Sequence, residues 1–181
     1  MAKSFKIGNR LIGENFPPVV IAEVGINHNG SLDLAIHLSE VAIKSGAEII
    51  KHQTHIADKE MSVEAKNIVP GNSKIDIFTI IKNSQLSEND EFKLARFITQ
   101  KKKIFISSPF CREAVDRLEK IGVPAYKIGS GECNNYPLVE YICKKKKPVI
   151  LSTGMNNITS VKKSVQIIRK YKISLVKLLC V

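Results

Sequence analysis

The stretch Ala125-Tyr-Lys-Ile-Gly-Ser-Gly-Glu-Cys-Asn-Asn135 starts as a short apolar strand and ends just before Pro137, where a helix is expected to open. Between the two, Lys127, Ser130 and Glu132 fall within six residues, around Gly129 and Gly131. Two glycines let backbone N–H groups come close to a ligand, while a cation, a hydroxyl and a carboxylate suit an anionic substrate such as a phosphate. Taken alone, the stretch reads equally well as an ordinary turn with charged residues facing water. What surrounds it in the chain decides between the two.

The same pattern of apolar strand, polar end and amphipathic helix recurs on both sides. Strands are expected at 19–24, 48–54, 104–108, 125–128, 149–152 and 174–181, with helices at 31–45, 75–83, 88–101, 112–121, 137–145 and 158–171. Residues 1–18 read as a lead-in, a possible hairpin across Gly8-Asn9-Arg10 closed by Pro17-Pro18, ahead of a main unit over 19–181. Single helices between apolar strands imply right-handed βαβ units and a parallel sheet covered by helices. Side chains alternate along a strand, so Glu23 shares a face with Ile21, Lys51 with Gln53, Ser108 with Ile106, Lys127 with Ala125, and Ser152 with Ile150. Five strands thus deliver a polar group near their C-terminal ends. A parallel barrel gathers such groups around one mouth, whereas a doubly wound sheet concentrates its contacts at one switch point, usually with an early G-x-G-x-x-G that is absent here. The expected fold is therefore a partial (β/α)₈ TIM barrel, with about six of the eight strands.

Composition narrows the class. Hydrophobic residues make up 44% of 181 and aromatics only 6%, ordinary for an α/β chain with a sizeable core. The 28 Lys+Arg against 17 Asp+Glu give a net charge of +11. The lysine runs 101–103 and 144–147 stand where helices hand over to strands, and read as solvated charge at helix C-termini. Neither is interleaved with aromatics, so nucleic-acid binding is not expected. Cys111, Cys133, Cys143 and Cys180 show no C-x-x-C spacing, which argues against a zinc site or a disulfide framework and for a reduced, cytoplasmic setting. No segment offers the roughly 20 apolar residues of a membrane helix, and no signal-peptide core is apparent.

Glu23 and Lys51 are the most pointed candidates, because an ionised group in an apolar strand is costly unless paired. Gln53 reads equally as a substrate contact or as filler of the mouth. Asn72, in the longest loop, suits a substrate-binding segment, although Pro70-Gly71-Asn72 is also plain turn chemistry. Of the candidate metal ligands, His52 has the parity opposite to Lys51 and is expected to face the helices as a structural residue; His28 and His55 stay open as loop residues.

Together, Ile21-Ala-Glu-Val-Gly-Ile-Asn-His-Asn-Gly30, Ile49-Ile-Lys-His-Gln-Thr-His-Ile56, Ile106-Ser-Ser-Pro-Phe110, Tyr126-Lys-Ile-Gly-Ser-Gly-Glu-Cys-Asn-Asn-Tyr-Pro-Leu138 and Leu151-Ser-Thr-Gly-Met155 resemble the bacterial sialic acid synthases. The resemblance runs from about Val19 to the end, and Cys133-Asn-Asn-Tyr-Pro-Leu138 is nearer the N-acetylneuraminate branch than the pseudaminate one. It implies condensation of phosphoenolpyruvate with N-acetylmannosamine and release of phosphate, with a divalent metal, manganese, polarising the sugar aldehyde. Position by position, it implies that Lys127, Ser130 and Ser152 hold phosphoenolpyruvate with Lys51 on its anionic end, and that Ser108 stands for a family threonine. Glu23, Gln53 and Asn72 would lie near the sugar, with Glu132 handling a proton or orienting it. The family's metal-binding histidines, its C-terminal antifreeze-like domain and the arginine that domain lends to a dimer partner have no counterpart before Val181. A fragment inactive by itself is therefore expected, from a family expected to act as homodimers. Two other readings remain: a Schiff-base aldolase using Lys51 or Lys127, which borohydride trapping would reveal, and a non-catalytic binding or assembly subunit.

Overall fold

The computed structural model describes residues 4–179. Strands β1 (Phe5–Ile7) and β2 (Arg10–Ile12) form an antiparallel hairpin, and six strands form one parallel sheet in sequential order. These six are β3 (Ile21–Gly25), β4 (Ile49–Thr54), β5 (Ile104–Pro109), β6 (Tyr126–Ile128), β7 (Val149–Ser152) and β8 (Leu175–Leu178). Strand order equal to chain order, with helices between, gives a curled half-barrel. The last expected strand, 174–181, is seen as β8; Cys180 and Val181 lie outside the described residues.

The connecting helices are α1 (Leu32–Lys44), α2 (Ala57–Glu60), α3 (Ile77–Ser84), α4 (Glu88–Gln100), α5 (Arg112–Ile121), α6 (Tyr136–Lys144) and α7 (Ile158–Lys170). Side-chain oxygens of Ser31, Asp76, Ser87, Asn135 and Asn157 accept backbone N–H groups at the starts of α1, α3, α4, α6 and α7, which is why these helices begin where they do. Helix α2 and the 3₁₀ turn Val63–Asn67 were not expected: each is too short to carry a periodic pattern.

Alternation along the strands divides the core in two. Outward residues such as Ile50, Phe105, Tyr126, Ile128 and Leu151 pack under the helices, while Ile49, Ile106, Ala125 and Ile150 form a separate inner cluster. The hairpin joins the inner cluster: Ile7 is 1% exposed among those residues, with Phe5 and Ile12 against it. Arg10 anchors the hairpin through Nε, which donates to Glu48 Oε2 at 2.7 Å.

The lysine run 144–147 is less solvated than expected. Lys145 Nζ donates to Asp116 at 2.7 Å and Lys147 Nζ to Glu119 at 2.6 Å, both on α5. Lys145 also lies 4.6 Å from the centroid of the Tyr141 ring. The charges thus find partners on the neighbouring helix.

Candidate functional site

Above the inner apolar cluster, the same alternation places polar side chains. Glu23 and Lys51 are register partners on β3 and β4, and Gln53 and Ser108 on β4 and β5. Lys51 is buried and its Nζ sits 2.5 Å from Glu23 Oε2, whose side chain is 49% exposed. Lys51 Nζ also lies 3.4 Å from Ser108 Oγ. The carboxylate in an apolar strand thus has the partner its position demands, and it faces the open mouth rather than the core.

Across the half-barrel, Lys127 and Ser152 are each 8% exposed. Lys127 Nζ donates to the Ile128 carbonyl at 3.3 Å. Ser130 and Glu132 belong to a 3₁₀ turn, Ser130–Glu132, that follows β6. Asn156 Nδ2 donates to the Ser130 carbonyl at 2.7 Å, and Asn135 Nδ2 to Glu132 Oε2 at 2.7 Å. Neither Gly129 nor Gly131 adopts a positive φ, so neither is required by backbone conformation. Nothing lies within 4 Å of where their Cβ atoms would stand, so they leave that rim open.

The strands therefore bring Glu23, Lys51, Gln53, Ser108, Lys127 and Ser152 to one end of the sheet, with Ser130 and Glu132 on the turn after β6. Asn72 is not drawn in: it lies on an exposed turn after the 3₁₀ segment, and among the described residues no hydrogen bond ties it to the strand-end groups. Two buried cations, three hydroxyls and two carboxylates at one mouth can hold a small polyanion and move a proton beside it.

Gly25 and Gly30 make the rim at β3 possible. Gly25 has φ +55, and a Cβ there would meet Glu23 Oε1 at 3.0 Å. Gly30 has φ +78, and a Cβ would lie 2.4 Å from the Asn83 carbonyl oxygen.

Behind the mouth lies a buried polar network that sequence reasoning missed apart from the parity of His52. His52 Nδ1 is 3.0 Å from Glu91 Oε1, and its Nε2 is 3.1 Å from His28 Nε2. Thr54 Oγ1 also donates to Glu91, and lies 2.7 Å from Ser107 Oγ. Arg117 Nη1 donates to Glu91 Oε2 at 3.3 Å. The Gly30 N–H donates to His28 Nδ1, so a neutral His28 carries its proton on Nε2 and hands it toward His52. Burial and the neighbouring His52 lower the His28 pKa to about 4. Burial opposes ionisation of Glu91, but hydrogen bonds and charge from His52, Thr54 and Arg117 outweigh it and hold the carboxyl below its usual range. One signal was available: Glu91 shares the apolar stripe of α4 with Leu94, Ala95 and Ile98. A second missed pair is His55 with Glu60, whose Nδ1 and Oε1 are 2.6 Å apart.

Among the described residues no group of three or more His, Cys, Asp or Glu side chains converges to hold a metal. The buried histidines bond to one another and to carboxylates instead. The donors among the described residues do not fit a manganese ion. Cys111, Cys133 and Cys143 are free and buried, with burial pushing the thiols of Cys111 and Cys143 up to about 11, which makes them poor nucleophiles. No described helix is long and apolar enough to cross a membrane.

Comparison with known proteins gives a consistent picture. A model of the NeuB family matches residues 38–181. An uncharacterized protein of Methanocaldococcus jannaschii is 37% identical over 92% of this chain and 46% of its own length. The N,N'-diacetyllegionaminic acid synthase of Campylobacter jejuni is 38% identical over 84% of this chain and 47% of its own. The chain thus spans about half the length of these relatives. The N-acetylneuraminic acid synthetase of Leptospira borgpetersenii, solved in complex with citrate, superposes with a TM-score of 0.89 at 29% identity, covering 100% of this chain and 60% of that one.

Proposed function

Because this chain belongs to the NeuB family, we propose that it forms the phosphoenolpyruvate- and sugar-facing part of a sialic acid synthase. The reaction joins C3 of phosphoenolpyruvate to the aldehyde carbon of an open-chain 2-acetamido sugar, N-acetylmannosamine in our assignment. Water adds at C2, and phosphate leaves by C–O cleavage, so that the sugar, phosphoenolpyruvate and one water become N-acetylneuraminate and phosphate. The observation that carries this reading is the convergence of buried Lys51 and Lys127 with Ser108 and Ser152 at one mouth.

The roles we assign are those the family resemblance implies, and charge and position support them. Lys127, Ser130 and Ser152 take the phosphate, where fixed cations and hydroxyls replace its water. Lys51 takes the anionic end of phosphoenolpyruvate, with Glu23 holding the ammonium in place until the ligand arrives. Glu132, steadied by Asn135, handles a proton or orients the sugar, and Gln53 contacts the sugar. The identity of the sugar branch is the finer part of the proposal, since one relative described above makes a diacetylated acid.

Calorimetric titration of the chain with phosphoenolpyruvate tests the site directly. Lys127→Ala is expected to weaken binding by about 2–5 kcal/mol, the usual loss when one partner of a desolvated charge pair is removed. Unchanged affinity would remove Lys127 from the site.

A further inference from the structure

The lysine run 101–103 has no part in the mouth, and its members separate in the fold. Lys101 Nζ lies 5.5 Å from the centroid of the Phe97 ring, whereas Lys102 and Lys103 line a cavity of about 650 Å³ at the other end of the sheet. The cavity opens where β5 begins, at Ile104 and Phe105, and where Pro124 leads into β6. Helices α4 and α5 wall it, and Gly8 and Asn9 of the hairpin turn reach it. Both strands have a neighbour on each side, so the cavity is not a by-product of the open sheet edges.

Its lining has an apolar part and a cationic part. Phe105 and Val123, each 2% exposed, lie at its base, and Phe92, 38% exposed, adds an accessible ring. Arg96, Lys102 and Lys103 supply three cations, and no acidic side chain lines the cavity. Among the described residues none of the three makes an ion pair. Carbonyls at a helix end attract cations. Here, however, the Ile98 and Thr99 carbonyls already accept the backbone N–H groups of Lys103 and Lys102, at 3.2 and 2.9 Å. The ammonium groups are therefore not needed as caps, and Arg96 stands a turn earlier on α4. A cleft lined by charges of one sign, with low-dielectric walls, concentrates counter-ions.

We propose that this cavity binds a small organic phosphate with an aromatic body, the chemistry of a nucleotide. The guanidinium fork of Arg96 and two ammonium groups match a phosphate dianion, while the apolar base takes the ring and Phe92 stacks on it. The volume lies within the roughly 300–1,000 Å³ of small-molecule clefts. Strands β5 and β6 run from this cavity to the mouth, where they present Ser108 and Lys127, so the two sites stand at opposite ends of the same strands. The proposal does not rest on the synthase reading.

The test is NMR of the full ¹⁵N-labelled chain titrated with naphthyl phosphate, with saturating phosphoenolpyruvate present to occupy the mouth. Saturable shifts are expected at the amides of Thr99, Lys102, Lys103 and Val123. Neutral naphthol and inorganic phosphate, which each carry half of the recognition, are each expected to bind at least about tenfold more weakly. Arg96→Glu and Lys103→Glu, both at the surface, are expected to weaken naphthyl phosphate about tenfold or more with the rest of the spectrum unchanged. Lys162→Glu makes the same charge change on the exposed face of α7 and is expected to weaken it less than about twofold. Shifts that fail to saturate, or that fall only on residues of the mouth, would overturn the proposal. So would naphthol binding as tightly as its phosphate, or equal losses in Arg96→Glu and Lys162→Glu.

Discussion

His28 shows how one side chain can set a pH dependence for the whole fold. Unfolded, it takes up a proton near the usual 6.5; folded, burial and His52 delay that to about 4. Between those values the unfolded chain holds the extra proton, so stability falls as pH drops from about 6.5 to about 4, by at most about 3 kcal/mol. Urea denaturation at pH 7 and pH 4.5 should show that loss, and His28→Asn should flatten it. Glu91 acts further into acid, because its depressed folded value makes its contribution disappear only as pH falls through that value. Gly30 sets a different constraint. An alanine there would combine a left-handed backbone with a Cβ pressed against the Asn83 carbonyl, so Gly30→Ala is expected to cost at least about 1–3 kcal/mol in thermal or urea unfolding. The two glycines of Ile21-Ala-Glu-Val-Gly-Ile-Asn-His-Asn-Gly30 are thus steric requirements, whereas Gly129 and Gly131 leave open space.

Strand β4 and helix α4 carry most of the polar design between them. Successive residues of β4 serve opposite faces: Lys51 and Gln53 reach the mouth, while His52 and Thr54 reach Glu91 on α4. Removing that carboxylate by Glu91→Leu would leave Arg117, His52 and Thr54 without their shared acceptor in a site closed to water. The expected loss is about 3–5 kcal/mol of stability, as for any buried pair broken on one side. Glu88, on the exposed side of the same helix, bonds Lys120 at 3.0 Å; its removal is expected to cost less than about 1 kcal/mol. Comparing the two urea midpoints checks both, and equal losses would contradict the assignment of Glu91 as the anchor. The bounds of α4, α5 and β7 were legible within about a residue because caps, periodicity and length agree there. Helix α2 was not, although it supplies Glu60 to His55, since four residues make no pattern.

At the scale of the whole molecule, β3 and β8 are the outer strands of the sheet, and among the described residues each has a neighbour on one side only. Between them the inner apolar layer remains partly open, around a cavity of about 200 Å³ lined by Ile12, Phe16, Ile21 and Val176 among others. Unpaired strand edges beside apolar surface promote association, so this chain is expected to self-associate with rising concentration in sedimentation or size-exclusion experiments. A concentration-independent monomer would contradict that. By itself the sequence determined the alternation of strands and helices, the partial barrel, and the faces of Lys51, Gln53 and Ser108, because side-chain parity along a strand is a local covalent property. Tertiary structure alone decided that Ile7 of the hairpin plugs the inner layer, that Lys145 and Lys147 pair with α5, and that Glu91 gathers His52, Thr54 and Arg117. It also left Asn72 apart from the strand ends. These contacts join residues dozens of positions apart, and they depend on strand register and helix packing across the sheet, which no local periodicity encodes.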